Sequence, residues 1–435
     1  MVFFLNLGCL LFSFLYEVVL ALLSLLCVII PKKFVFEFKK FRKMESKVKK
    51  YYIKTFGCQM NEAESEMIAA GYECRGWKQV KNWQEANEVV INSCSVRESA
   101  ENRVFGLVNN ISKFKIKNTK CESTIRNLKL ERPKIILSGC MVGSAMGERK
   151  RYTFKQLKQR LPQVAEFRPW WEWDFKKMKA IKTRKDKQKA LVPIMTGCNH
   201  FCSYCVVPYA KGKEISFPFE DILCQIKEFG KKGWQEVILL GQNVNTYGKD
   251  FTKEEKDKII SCYHDSCHSI KDISIFSLLL RAVHKIKKIT KISFLTSNPW
   301  DLTDDIIQAM KLPKVDRYLH LPLQSGDNTI LKNMNRPYTV EQYWELVRKI
   351  RNEIPGIKIG TDLIVGFPGE TKKAFENTVK LCQKIGFEKA YIAMYSPRPG
   401  TSAFKFKDNI SYQEKKRRWS VLEKLINKKL SVKES

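Results

Sequence analysis

Three cysteines crowd the segment Gly197-Cys198-Asn199-His200-Phe201-Cys202-Ser203-Tyr204-Cys205, in a C-x3-C-x2-C spacing that follows the strand candidate 191–196. Three thiolates on one short loop can wrap three corners of a cubane iron–sulfur cluster, whose usual full complement is four cysteines. With three, one iron keeps an open position, the logic that separates catalytic from structural zinc sites. A structural zinc loop is the competing reading, but zinc ligands usually come as C-x2-C pairs. His200, inside the loop, reads as a spacer and not as a ligand.

Downstream, strand and helix patterns alternate. Strand candidates are 191–196, 236–240, 291–296, 317–323, 357–365 and 390–395. Helical candidates between them are 219–230, 275–288, 303–310, 327–334, 340–352 and 372–385. Successive βα units of this kind predict an open, TIM-like (βα)6 barrel. In such barrels the active site lies at the carboxyl ends of the strands. Polar and glycine-rich clusters fall at those ends: Gly241-Gln242-Asn243, Thr296-Ser297-Asn298, Gln324-Ser325-Gly326 and Gly366-Phe367-Pro368-Gly369. Each alone is ordinary turn chemistry; repeated on one rim, they mark a pocket. An open iron there can chelate the amino and carboxylate groups of S-adenosylmethionine. An electron then cleaves the sulfonium to a carbon radical, chemistry that no side chain performs alone.

Upstream, the strand candidates 51–56, 88–93 and Lys134–Gly139, with helices around 61–70 and 98–112, predict an N-terminal α/β domain on a parallel sheet. Cys58, Cys94 and Cys140 each follow one of these strands. The carboxyl ends of parallel strands share one edge, where open α/β folds place ligands, so the three converge in space. Any one alone reads as a buried structural cysteine; together they can hold zinc or an iron–sulfur cluster. No fourth ligand is evident, which favours a cluster with an open iron.

The formal charge of +33 suits a polyanionic partner, although a lysine-rich genome would also produce it. Fourteen cysteines in a chain too long for a small disulfide scaffold point to ligation, catalysis or burial in a reducing cytosol. The segments 110–132 and 172–190 are basic and read as RNA-facing or simply solvated. Residues 1–43 stand apart: 2–30 are mostly apolar and a basic run follows. A membrane anchor and a true start at Met44 both fit, whereas a secretory signal would carry positive charge before the apolar run. The expected organisation is an extension over 1–43, the α/β domain over 44–150, a basic linker over 151–190, the barrel over 191–405 and a basic helix over 406–435.

The segments TFGCQMNEAES, INSCSVRESAENRVFG, SGCM, GCNHFCSYCVVPYAKGKEIS, LLGQNVNTYG, HLPLQSGDNTILKNMNR and GTDLIVGFPGET, spread over residues 51–405, resemble the radical S-adenosylmethionine (radical SAM) methylthiotransferase family. NSCSVRESAENRVFG and GQNVNTYG are similar to the branch acting on N6-isopentenyladenosine next to the anticodon of tRNA, rather than to the branches acting on threonylcarbamoyl adenosine or a ribosomal protein. The resemblance implies two 4Fe-4S clusters, the radical-generating one on Cys198, Cys202 and Cys205 and an auxiliary one, carrying the sulfur to be inserted, on Cys58, Cys94 and Cys140. It implies S-adenosylmethionine near Gln242, Asn243, Gln324, Ser325 and Gly366, one molecule methylating the sulfur and another giving the radical that opens carbon 2 of the adenine. It implies tRNA as partner, an electron donor such as flavodoxin or ferredoxin, and a cytoplasmic location. The sequence departs from the family in several places. The family's usual terminal all-β RNA-binding domain is expected to be absent, with lysine-rich 110–120, 172–190 and 414–429 expected to contact phosphate in its place. Ala210-Lys211-Gly212-Lys213 stands for Thr-Arg-Gly-Arg, Phe217 for Arg, and the stretch from Cys140 to Cys198 is short. Cys262 and Cys267, unusual for the family, read as loop variation.

Overall fold

The computed structural model describes residues 48–96, 98–113, 132–173, 186, 188–264 and 273–428. Strands β1 (Lys50–Phe56), β2 (Lys78–Gln79), β3 (Glu88–Ser93), β4 (Lys134–Gly139) and β5 (Glu166–Phe167) form a parallel sheet in the order β2-β1-β3-β4-β5. Strands β3 and β4 are continuous apolar runs because both faces are covered. Helix Glu98–Lys113 lays Val104, Val108 and Ile111 on Val89, Ile91, Ile135 and Leu137. Helix Gln59–Cys74 lays Ile68 and Tyr72 on Tyr51, Val90 and Ile136. The register pairs Phe56 with Ser93 and Ser93 with Gly139, so Cys58, Cys94 and Cys140 leave the sheet at nearly one level.

This sheet reaches beyond residue 150 into the stretch expected as linker. Helix Phe154–Arg160 buries Leu157 in its core, β5 pairs with β4, and Trp173 Nε1 donates to Ser138 Oγ at 3.0 Å. Indole rings at 170, 171 and 173 carry the apolar surface that a basic linker reading overlooks. Most of the expected basic segments, 114–131 and 174–185, lie outside the described residues, as do 1–47. No helix among the described residues is long and apolar enough to cross a membrane.

The second half holds β6 (Lys189–Pro193), β7 (Met195–Thr196), β8 (Ile215–Ser216), β9 (Glu236–Leu240), β10 (Lys291–Phe294), β11 (Tyr318–His320), β12 (Lys358–Val365) and β13 (Lys389–Met394). Strands β6-β9-β10 and β11-β12-β13 are parallel trios. A bridge from Ile292 to Val315 joins them, with Ile292 N–H donating to Lys314 O and Asp316 N–H to Ile292 O, both at 2.8 Å. The result is one parallel arc in sequence order, consistent with the open (βα)6 expectation. Val192, Leu239, Phe294, Leu319 and Leu363 point to the helices, where Ile226, Leu279 and Val347 cover them. On the other face Leu191, Ile238 and Leu240 meet Met60 and Ala63 of the N-terminal unit.

Two expected strands are shorter for visible reasons. The 191–196 strand breaks after Pro193, and β7 turns away to pair antiparallel with β8, closing the base of the cysteine loop. The 317–323 strand stops at His320 because its register along β12 becomes irregular: Leu321 N–H donates to Gly360 O at 2.8 Å, Leu323 N–H turns to the Thr361 Oγ1 side chain at 2.9 Å, and Gln324 N–H donates to Asp362 O at 2.8 Å. Helix Tyr412–Ile426 covers the outer edge of β13, burying Leu422 and Ile426. Asn427 then extends the ladder with its amide, accepting from Ala390 N–H at 3.0 Å and donating to Ala390 O at 2.9 Å. Unpaired strand edges invite intermolecular pairing, and this arrangement blunts one.

From Lys50 onward the described chain packs as one unit, and a buried polar seam ties its halves. Arg398, after β13, pairs with Glu101 at 2.9 Å and donates to Ser95 O at 2.7 Å. Arg151 donates to Ser95 Oγ and to Pro399 O, each at 2.9 Å. Removing one member of such a pair leaves a buried charge uncompensated. Arg398→Met is expected to lower the unfolding free energy by about 3 kcal/mol in urea titration, with Glu101→Gln in the same chain recovering part of the loss. An unchanged midpoint for the single variant would count against the seam.

Candidate functional site: two facing cysteine trios

The loop 197–214 carries Cys198, Cys202 and Cys205 and is held from three sides. Its base is the β7–β8 ladder, reinforced by Cys198 N–H to Gly212 O at 3.1 Å. The turn after helix Asn328–Asn333 grips its middle. Ser203 N–H donates to Met334 O at 2.9 Å and Ser203 Oγ to Asn333 O at 2.8 Å, while Asn335 Nδ2 reaches Phe201 O at 2.8 Å. Arg336, buried, donates from Nη1 to Cys202 Sγ at 3.5 Å and from Nη2 to Pro322 O at 2.9 Å. Its guanidinium lies 4.5 Å from the Trp300 ring centre and 5.2 Å from that of Tyr338, a cation–π setting.

His200 takes the third side, and it is more than a spacer. Its Nε2 lies 2.9 Å from Asp301 Oδ2, which also accepts from Asn243 Nδ2 at 2.7 Å, and Lys249 Nζ donates to Asp301 Oδ1 at 2.8 Å. Burial alone would raise the Asp301 pKa, but His200 and Lys249 more than offset it and hold the carboxyl below its ordinary range.

The sequence-predicted trio Cys58, Cys94 and Cys140 gathers at the edge of the first sheet. Cys58 caps helix Gln59–Cys74 and its Sγ donates to Asn61 Oδ1 at 3.5 Å. Cys94 and Cys140 are buried. The neighbouring Cys94 thiol and burial push the Cys140 pKa up. In the barrel loop, burial and the Cys202 sulfur push Cys205 up to about 12, and burial with Cys205 raises Cys198. Such thiols stay protonated near neutral pH, and ligation expels their protons.

The elements that adjoin the two trios pack on each other. Helix Cys140–Met146 packs on helix Val207–Ala210, which follows Cys205, and a Cβ at Gly143 would collide with the Ala210 carbonyl. Arg149 bridges the same seam, donating to Cys198 O at 3.2 Å. Lys211 enters the first trio from the barrel side and pairs there with Glu64, both side chains buried.

The rim residues divide. Gln242 Oε1, Asn243 Oδ1, Gln324 Oε1, Ser325 Oγ and Ser297 Oγ are buried without a hydrogen-bond partner among the described residues. Buried polar atoms normally find partners, so this cluster fits a polar ligand. Gln324 adds a left-handed backbone at φ 68°, held between Asp362 O and Ile364 N–H at 2.8 and 3.0 Å, a strain of the kind that collects at binding sites. The amide nitrogen of Asn243 is committed to Asp301. Gly366 packs against Lys415 of the C-terminal helix, where a Cβ would collide.

Sequence reasoning passed over Arg336, Asp301, Lys249 and Lys211. Their signal was position alone: Arg336 closes HLPLQSGDNTILKNMNR, Asp301 follows a rim cluster, and Lys211 sits in the loop that departs from its family pattern. Phe217, in place of the family's arginine, packs against the barrel core. Among the described residues no three His, Cys, Asp or Glu side chains stand close enough to share one ion. Thiolates on a cubane each hold a different iron and stand further apart. Cys262 is exposed on helix Lys253–Tyr263, and Cys267 lies outside the described residues.

Residues 192–382 match the model of the Radical SAM superfamily, and residues 50–158 that of Uncharacterized protein family UPF0004. The chain is 38% identical over 399 residues to the tRNA-2-methylthio-N(6)-dimethylallyladenosine synthase of Clostridium perfringens (strain SM101 / Type A), covering 88% of this chain and 83% of the relative. It is 39% identical over 391 residues to the synthase of the same name from Thermotoga petrophila, covering 88% and 83%. Among solved structures it is similar to the radical S-adenosylmethionine methyltransferase TsrM from Kitasatospora setae, with a TM-score of 0.51 at 12% identity over 82% of this chain and 77% of that one. That likeness speaks to the fold.

If Asp301 pins the loop, Asp301→Ala is expected to cost about 2 kcal/mol, because buried Asn243 loses its acceptor. His200→Ala, at a part-exposed residue, should cost less. Chemical denaturation of both variants checks this, and equal losses would mean that Asn243 does not depend on Asp301.

Proposed function

This chain belongs to the tRNA-2-methylthio-N6-dimethylallyladenosine synthase branch of the radical SAM methylthiotransferases, and from that membership we propose that it inserts a methylthio group at carbon 2 of N6-isopentenyladenosine (the dimethylallyl nucleoside) beside the anticodon of tRNA. The observation that supports the reading is the packing of helix Cys140–Met146 on the segment that follows Cys205, which joins the element that opens with Cys140 to the one that follows the barrel loop's cysteines. Sulfur insertion needs a radical and a sulfur source within reach of one substrate atom, and two adjoining sites meet that need.

In this reading Cys198, Cys202 and Cys205 hold one 4Fe-4S cluster, and Cys58, Cys94 and Cys140 hold an auxiliary one. When bound, the clusters and S-adenosylmethionine supply the carbon radical and the methylated sulfur, which no side chain can provide. The chain's residues do the rest. Gln242, Gln324 and Ser325 offer buried oxygens without a partner among the described residues, Asn243 offers its Oδ1, and the Gly366 N–H is committed to Glu370 Oε2 at 2.6 Å. Arg336 and the Asp301 network fix the loop that carries Cys198, Cys202 and Cys205.

The tRNA enters as substrate, with the electron donor drawn from the flavodoxin or ferredoxin class and the sulfur donor left open. Phosphate contact by the C-terminal helix is narrower than the sequence suggested. Lys415 and Arg418 are buried, the first on Tyr395 O and Asp408, the second on Glu370, while Arg417 pairs with Glu414. Exposed Lys416 and Lys424 remain for phosphate, beside the lysine-rich segments that lie outside the described residues.

Nucleoside analysis of total tRNA from a deletion strain tests the reading. Complementation with the chain is expected to restore 2-methylthio-N6-isopentenyladenosine, and Cys198→Ala to abolish it; restoration by the variant would sink the assignment. Anaerobically reconstituted protein is expected to hold about eight irons, falling to about four after Cys58→Ala, Cys94→Ala and Cys140→Ala. A count of about four that ignores the triple change would leave radical chemistry without sulfur insertion.

A further inference from the structure

Lys211 follows the helix Val207–Ala210 on the barrel side, yet its ammonium lies inside the N-terminal unit. Its side chain is 3% exposed and that of its partner Glu64 is 5% exposed. Glu64 stands on the helix that Cys58 caps. Asn61, which meets the Cys58 thiol at 3.5 Å, also donates to Glu64 Oε2 at 3.4 Å and to Asn92 Oδ1 at 3.1 Å. The Trp170 ring centre lies 5.5 Å from the Lys211 nitrogen.

A buried ion pair is weak evidence for stability, because desolvation can exceed the Coulombic gain. Its place beside the cysteines suggests another use. Ala210, the residue before Lys211, lies against Gly143 of the helix that Cys140 opens, and Glu64, the ion-pair partner of Lys211, is linked to the Cys58 thiol through Asn61. Burial works against the ammonium, but the Glu64 carboxylate paired with it more than offsets that, so it stays charged. Three thiolates around a cluster with an anionic sulfur on its open iron carry net negative charge, which is costly to bury uncompensated.

We propose that Lys211 is a positioning residue of the N-terminal cysteine site: the barrel loop inserts its ammonium there, compensates the anionic cluster and its sulfur ligand, and thereby raises that cluster's reduction potential. The inference rests on the two-cluster reading above. A nearby positive charge favours the more negative, reduced state, and charge beside the site is one of the levers on cluster potential. Because the same loop carries Cys198, Cys202 and Cys205, the auxiliary site acquires its full charge only when the two units are docked.

The test is a redox titration followed by electron paramagnetic resonance on the full chain carrying Cys198→Ala, Cys202→Ala and Cys205→Ala, so that only the auxiliary cluster reports. Lys211→Met is expected to shift the midpoint downward, Glu64→Gln to shift it upward, and Lys211→Arg to leave it near the parent value. A merely structural role does not produce shifts of opposite sign. Should Lys211→Met fail to fold, Lys211→Gln, which keeps a polar side chain but removes the charge, is expected to give the same downward shift, and an unmoved midpoint there overturns the role. Midpoints that stay put, or move in the same direction, overturn the role of Lys211. A parent that assembles no cluster overturns the two-cluster reading itself, and the inference with it.

Discussion

The close approach of Gly143 to the Ala210 carbonyl is the contact on which the rest of the site depends. Helix Cys140–Met146 begins with a cysteine of one trio, and helix Val207–Ala210 follows the last cysteine of the other. Only a residue without a Cβ lets the two backbones meet this closely. The contact holds the edge of the first sheet against the barrel, along a seam that Arg149, Arg151 and Arg398 complete.

Each trio also has a buried cation beside it. Arg336 reaches Cys202 from within the barrel, fixed by Pro322 O and two aromatic rings. Lys211 reaches the other trio from across the domain seam. The choice of side chain follows the task. A planar guanidinium can be stacked and hydrogen-bonded in several directions at once, whereas a lysine threads a compact charge through a narrow passage. Both cations lie where thiolate ligands would otherwise concentrate negative charge in a poorly solvated place.

The strand ends were legible because parallel sheets impose a simple geometry. The runs at 88–93 and 134–139 read as strand candidates of a parallel sheet, and their aligned register carries Cys94 and Cys140 to one edge. The break after Pro193 and the early end of β11 were not anticipated, since each is set by a partner distant in sequence: β8 takes up β7, and the Thr361 side chain takes up Leu323 N–H. His200 illustrates the same limit. Within its loop it spaces two cysteines, and its partner Asp301 is distant in sequence and brought near by the barrel.

Periodicity, cysteine spacing and the placement of turn residues therefore determined by themselves the α/β class, the parallel arc and the two cysteine trios, because all three are set by local geometry repeated along the chain. The fate of the charged residues was decided by tertiary structure alone. Lys211, Arg336, Lys415 and Arg418 look like any other basic side chains in a chain of charge +33, yet all four are buried. Whether a cation meets water, a carboxylate or a sulfur depends on which distant segment packs against it. Single-residue chemistry carries no record of that neighbour.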